Sequence, residues 1–166
     1  PPIIDSSIFF PTNKIKNKIF TVLFVGRIDP EKNLEELIKY IDNIKNIKLI
    51  IVGDGIIKKT LEDKYSYNKN IVFVGKINRE ILYKYYNIAD LFITPSRTET
   101  LGFTTLESMA CKTPVLAYKS GGSVNLIKHG YNGFLYSNKK YFYNYLQLII
   151  NNSKLRNNII NNAYNI

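Results

Sequence analysis

The feature that most constrains this chain is a rhythm repeated about six times: an apolar, β-branched run, a glycine or proline that stops it, then apolar residues at helical spacing. Residues 19–25 (IFTVLFV) form a β-branched and aromatic run ending at Gly26, which suits a strand buried on both faces. The spacing then predicts a helix over 33–44, with Leu34, Leu37, Ile38 and Ile41 on one stripe. Further strands are expected at 48–52, 71–74, 91–93, 115–117 and 134–135. Helices are expected at 57–65, 79–87, 103–110 and after the Gly121-Gly122 pair through 127, and from 141 the chain reads as helical and Asn-rich to its end. Strand and helix in alternation predict an α/β fold, a doubly wound parallel sheet with helices on both faces in the Rossmann manner. Right-handed crossovers put every strand-to-helix loop on one rim of such a sheet, so ligand-binding residues should follow the strands directly. The opening PPIIDSSIFFPTN reads as a linker. The expected organisation is a linker over 1–18, a Rossmann-like domain over 19–140 and a C-terminal helical segment over 141–166.

A length of 166 residues with 45% hydrophobic content suits one folded domain with its own core. The chain opens on Pro1 rather than Met, so we expect a segment of a longer protein. No apolar run approaches the roughly 18–20 residues that span a bilayer, and no basic-then-apolar leader opens the chain. Cys111 is the only cysteine, which excludes an internal disulfide, argues against a cysteine-based metal site and fits a reducing compartment, cytoplasm or plastid. Its apolar neighbours Met109 and Ala110 make it a packing residue. The net charge of +10 admits nucleic acid, an anionic membrane or a phosphorylated ligand as partner. The lysines are scattered among Ile, Asn and Tyr with no arginine-rich stripe, which argues against nucleic acid.

Two loops carry residues suited to chemistry. After the first strand, Gly26 precedes Arg27 and Lys32, a planar donor fork and a mobile point charge, both suited to phosphate oxygens. After the fourth, Gly102 precedes a helix beginning near Phe103, whose first amides are unpaired and carry positive partial charge. A diphosphate fits at such an end. Glu107 lies one turn into that helix and Glu99 in the loop before it, both able to accept hydrogen bonds from sugar hydroxyls. A nucleoside diphosphate brings about two negative charges, which Arg27, Lys32 and a helix N-terminus can balance without a metal. No DxD or clustered-His motif is present, and no metal or other cofactor is expected. The Gly121-Gly122 loop is a weaker candidate for the same pocket, and His129 reads as a helix C-cap or surface group.

In order along the chain, GRIDPEKN, IIVGDG, IVFVGKI, YNIADLFITPS, ETLGFTTLE, CKTPVLAYKSGG and GYNGFLY resemble the retaining glycosyltransferase family that includes sucrose synthase, sucrose-phosphate synthase, bacterial glycogen synthase and many lipid mannosyl- and glucosyltransferases. IIDSSIFFP is similar to that family's interdomain linker. The resemblance implies the C-terminal, donor-binding half of a two-domain GT-B enzyme, with the acceptor-binding N-terminal domain absent from this chain. It implies metal-independent sugar transfer, with retention of configuration, from a nucleotide sugar, UDP-linked by expectation. Gly26, Arg27, Lys32 and the amides of Gly102, Phe103 and Thr104 would then contact the diphosphate. Lys76 and Ile77 would lie in the turn holding the base. Glu107 would bind the ribose, and Glu99 would contact the sugar near the reacting carbon. Glu99, Arg27 and Lys32 would be the catalytic residues, Glu99 and Glu107 forming the family's E-x7-E motif. The ETLG form resembles the sulfolipid-synthase branch, which implies a lipid acceptor and peripheral membrane contact. Two positions depart from the family pattern: Lys112 stands where Gly is common, and Asn125 where an acidic residue is usual. The rival readings are a non-catalytic nucleotide-sugar-binding module and a basic nucleic-acid-binding domain.

Overall fold

The computed structural model describes residues 4–165. Residues 1–3 and 166, the outer ends of the expected linker and C-terminal segment, lie outside the described residues. Six strands run in the order predicted: β1 (Phe20–Val25), β2 (Ile47–Val52), β3 (Ile71–Gly75), β4 (Leu91–Thr94), β5 (Val115–Tyr118) and β6 (Phe134–Tyr136). Between and after them lie α1 (Leu34–Asp42), α2 (Lys58–Lys64), α3 (Arg79–Ile88), α4 (Phe103–Ala110), α5 (Gly121–Leu126), α6 (Lys139–Asn151) and α7 (Ser153–Tyr164). A 3-10 turn, Pro30–Lys32, precedes α1.

The strands form one sheet in the order β3-β2-β1-β4-β5-β6, every pairing parallel. Chain direction across the sheet reverses between β1 and β4, which opens a crevice at their C-terminal ends. Alternation along each strand builds two cores. Val22, Phe24, Leu49, Ile51 and Ile93 face α1, α2 and α6, meeting Leu34, Leu37, Ile38, Ile41, Leu61, Phe142 and Leu146. Leu23, Ile50, Val52, Phe92 and Val115 face the other way, toward Leu82 and Tyr86 of α3 and Met109 of α4. Because both faces are covered, polar positions are nearly excluded from the strands, and that is why they read as continuous apolar runs.

The single helical run expected from 141 is two helices, and the first begins at Lys139. Asn138 caps α6 by accepting from the Tyr141 amide at 3.0 Å, and Asn152 stops it and caps α7 through the Leu155 amide at 3.0 Å. Ile159 of α7 joins one core and Ala163 the other, so the C-terminal helices pack into the same cores as the sheet. The N-terminal segment read as a linker is docked on α3. Phe9 is buried and Phe10 stacks on Tyr83 at 4.7 Å. Asn87 accepts from the Thr12 amide at 2.8 Å and donates to the Phe10 carbonyl at 2.9 Å.

Lys112, where the resemblance leads one to expect glycine, stands in the backbone conformation that glycine favours. Lys112 follows the C-terminal residue cap of α4 at φ 55°, in the left-handed region, and its ammonium lies 4.6 Å from the Tyr164 ring centre.

Candidate functional site

The loops after β1, β2 and β3 enclose a cleft of about 580 Å³. Gly26 and Arg27 line it from the first loop, Gly53 to Ile56 from the second, and Lys76 and Ile77 from the third, with Leu82 of α3 behind. Its floor is interlocked backbone. The Gly26 amide donates to the Val52 carbonyl at 3.0 Å, Ile28 to Asp54 at 2.9 Å, Ile57 to Ile28 at 3.1 Å and Gly53 to Gly75 at 2.8 Å. This approach is so close that a Cβ on Gly53 would stand 1.8 Å from the Gly26 carbonyl oxygen.

Asp29 fastens the first two loops together. One carboxylate oxygen accepts from the Ile56 amide at 3.0 Å and the other from Arg27 Nε at 2.8 Å. The Ile56 amide, then Arg27, hold this carboxyl below the usual carboxylate range, with Lys32 adding to the effect from the 3-10 turn. Donating this hydrogen bond to Asp29 raises the Arg27 pKa in turn. Arg27 remains 72% exposed, so its guanidinium is aimed by Asp29 yet free to meet a ligand.

Across the crevice, the loop from β4 to α4 is held from two sides. Arg97 donates to Glu36 of α1 at 2.9 Å and lies 4.2 Å from the Tyr118 ring centre. The Glu99 carbonyl accepts from the Gly122 amide at 2.6 Å. The glycine pair, expected in a loop before the helix, forms the first turn of α5 and seats the Glu99–Thr100 backbone: Cβ atoms there would meet the Glu99 and Thr100 carbonyl oxygens at 2.4 and 2.5 Å. The expectation that α4 begins with an open amide at Gly102 also needs correction. The Glu99 carboxylate accepts from the Gly102 amide at 3.0 Å, and Leu126 occupies the space beside the Gly102 Cα. Among the described residues the Phe103 and Thr104 amides have no protein acceptor, as befits a helix N-terminus.

Glu107 is 3% exposed, with one carboxylate oxygen accepting from Arg79 at 3.0 Å and the other from the Tyr86 hydroxyl at 2.8 Å. Burial pushes its pKa up, and the bonds from Tyr86 and Arg79 oppose that rise.

The structure therefore brings Gly26, Arg27, Lys76 and Ile77 into one cleft. Lys32, expected with them, lies on the 3-10 turn and is not among the residues lining that cleft. Glu99, Gly102, Phe103, Thr104 and Glu107 gather along α4 on the other side of the crevice and are not among the residues lining that cleft. His129 is a surface group bracing a loop, its Nδ1 accepting from the Leu135 amide at 3.0 Å, and Asn125 is exposed on α5. Cys111 is fully buried, and burial pushes its thiol pKa up to about 12. Among the described residues no group of three or more His, Cys, Asp or Glu side chains could hold a metal ion.

Sequence reading did not single out Asp29, Arg79 or Tyr86. Arg79 and Tyr86 were in reach of it: they stand seven residues apart on α3, on one helical face.

Comparison with known proteins fits this geometry. The family model for glycosyl transferases group 1 matches residues 5–166. The sulfoquinovosyl transferase of Arabidopsis thaliana is 36% identical over 119 residues, 70% of this chain and 23% of that protein. Curated relatives run much longer, and the chain spans between 23% and 41% of the length of relatives such as these. The C-terminal domain of a glycosyl transferase group 1 family protein from Francisella tularensis superposes with a TM-score of 0.82 at 26% identity, covering 98% of this chain and 95% of that one. The Anabaena protein HepE, solved with UDP and glucose, has the same fold, with a TM-score of 0.83 at 22% identity over 98% of this chain and 49% of that one. A doubly wound sheet, a charged cleft at its strand ends and a family match across nearly the whole length lead to one conclusion: the chain belongs to the glycosyl transferases group 1 family.

Proposed function

We propose that this chain is the donor-binding half of a retaining, metal-independent glycosyltransferase that takes its sugar from a UDP-sugar. The observation that carries the reading is the placement of Arg27: oriented by Asp29, largely exposed, and lining a cleft at the strand ends. In this account the base lies against the turn of Lys76 and Ile77, and the ribose hydroxyls reach Glu107. The diphosphate is held by Arg27, Lys32 and the Phe103 and Thr104 amides. Positive groups fixed before the leaving phosphate develops charge lower the barrier to its departure.

Glu99 has two tasks in this account. Without donor its carboxylate satisfies the Gly102 amide at the start of α4. A phosphate oxygen arriving at that amide replaces one anion by another and frees Glu99 to turn toward the sugar. HepE, solved with UDP and glucose, supports the choice of UDP. The similarity to a sulfoquinovosyl transferase supports a lipid acceptor and peripheral membrane contact, for which the +10 charge is suited. The acceptor site and completion of the reaction belong to an N-terminal domain.

Isothermal titration of this chain with UDP, GDP and a short oligonucleotide tests the reading. UDP should bind most tightly, and Lys32→Ala and Arg27→Ala should each weaken it without unfolding the chain. Preference for the oligonucleotide, or no binding of either diphosphate, rejects the proposal.

A further inference from the structure

The two groups that hold Glu107, Arg79 and Tyr86, both also meet Phe9 of the N-terminal segment. Phe9 lies with its ring centre 6.0 Å from that of Tyr86, edge to face at 75°, and the Arg79 guanidinium carbon stands 5.0 Å from the Phe9 ring centre. Tyr86 is further held by Phe92 at 5.6 Å, but Arg79 is 54% exposed, so burial alone does not fix its guanidinium. An aromatic face beneath a guanidinium restricts where that group can swing. Phe9 itself is 1% exposed and firmly anchored. Its amide donates to the Asp5 carbonyl at 3.0 Å, and the next residues are tied to Asn87 of α3.

We infer that Phe9 is a positioning residue for the donor site, holding Arg79 and Tyr86 so that the Glu107 carboxylate keeps the orientation that meets the nucleotide ribose. The inference rests on the reading of Glu107 as a ribose ligand. It gives the segment entering this domain a task beyond connection: the docking of Phe9 on α3 is coupled to the grip on the donor. Displacing that segment would loosen the carboxylate without touching the cleft of Arg27.

The test is a double-mutant cycle read with two ligands, UDP and 2′,3′-dideoxy-UDP, by calorimetry on this chain. Phe9→Met keeps the buried volume and removes the ring face, and Phe9→Tyr keeps the ring. Unfolding curves verify that each variant is folded. Phe9→Met should weaken UDP by about fivefold. It should leave the dideoxy ligand unchanged and cost nothing further in a Glu107→Gln background, while Phe9→Tyr restores UDP binding. Arg79→Gln, a change at a half-exposed side chain, should reproduce the same ribose-selective loss. Equal losses for both ligands, or additive losses with Glu107→Gln, overturn the inference and leave Phe9 a core residue. If the wild-type chain binds UDP and dideoxy-UDP equally, the ribose role of Glu107 fails, and the inference fails with it. That result is distinguishable, because it is read on the wild type before any variant is made.

Discussion

Replacing Gly53 by alanine should damage this protein far more than its one added methyl suggests. Two costs combine. The residue has φ 142°, where an L side chain is strained by about 1–3 kcal/mol. The new Cβ would also lie 1.8 Å from the Gly26 carbonyl oxygen and 2.9 Å from its carbon, both rigid backbone atoms. The tips of β1 and β2 must part by about 1.5 Å before that contact becomes tolerable. Parting them breaks or stretches the bonds from the Gly26 amide to Val52 and from the Gly53 amide to Gly75, each worth about 1 kcal/mol net. The expected loss is about 3–5 kcal/mol, a fall of roughly 6–20 °C in Tm for a domain of this size. Gly130 is the internal control. It has φ 77° but nothing within 4 Å of its missing Cβ, so Gly130→Ala should cost only about 1–2 kcal/mol. Urea unfolding of the two variants beside the wild type separates the terms. Equal destabilisation, within about 0.5 kcal/mol, would refute the steric account of the interlocked loops.

Three further outcomes follow from ionisable groups. Burial holds the Glu107 pKa above its ordinary 4.5, so its contribution to stability is fully present below pH 4.5 and is lost as pH rises through the raised value; Glu107→Gln should abolish that decline in pH-dependent unfolding. Lys14 is the opposite case: the residue as a whole is exposed, but its ammonium donates to Thr113 at 2.9 Å, and loss of solvent at that group lowers its pKa to about 8 despite the nearby Asp90. Relative to Lys14→Met, which is blind to the change, wild-type stability should therefore rise as pH climbs from about 8 to 10.5 and fall back as pH drops, and a flat difference would refute it. Cys111, buried with a thiol pKa near 12, should react with an aromatic disulfide reagent at pH 8 only as fast as the chain opens, so rapid labelling of folded protein would contradict its placement.

The strands and most helices were legible because a parallel sheet covered on both faces leaves little room for polar residues, and Gly26, Gly53 and Gly75 punctuate its strand ends. Arg27 was legible as a rim residue for the same topological reason, whereas Lys76 and Ile77 were legible only through the family resemblance. What stayed hidden depends on contacts between distant segments. Asp29 acts through the Ile56 amide, 27 residues away, and no local pattern marks that bond. Phe9 sits in a Pro- and Ser-rich stretch that reads as a linker, and only docking on α3 reveals its burial. The break between α6 and α7 was masked because Asn152, its cap, is one of many asparagines there. The bond from the Gly102 amide to Glu99 spans three residues, and a carboxylate ahead of a helix start is a recognisable capping signal. The same carboxylate suits a sugar hydroxyl equally well, so the local pattern alone does not choose between the two partners.

A crystal structure of this chain with UDP tests the central claim most directly. The account predicts the diphosphate within hydrogen-bonding distance of Arg27 and of the Phe103 and Thr104 amides, with the Glu99 carboxylate displaced from Gly102. Phosphates bound away from Arg27 and the start of α4, with Glu99 still on the Gly102 amide, would contradict it.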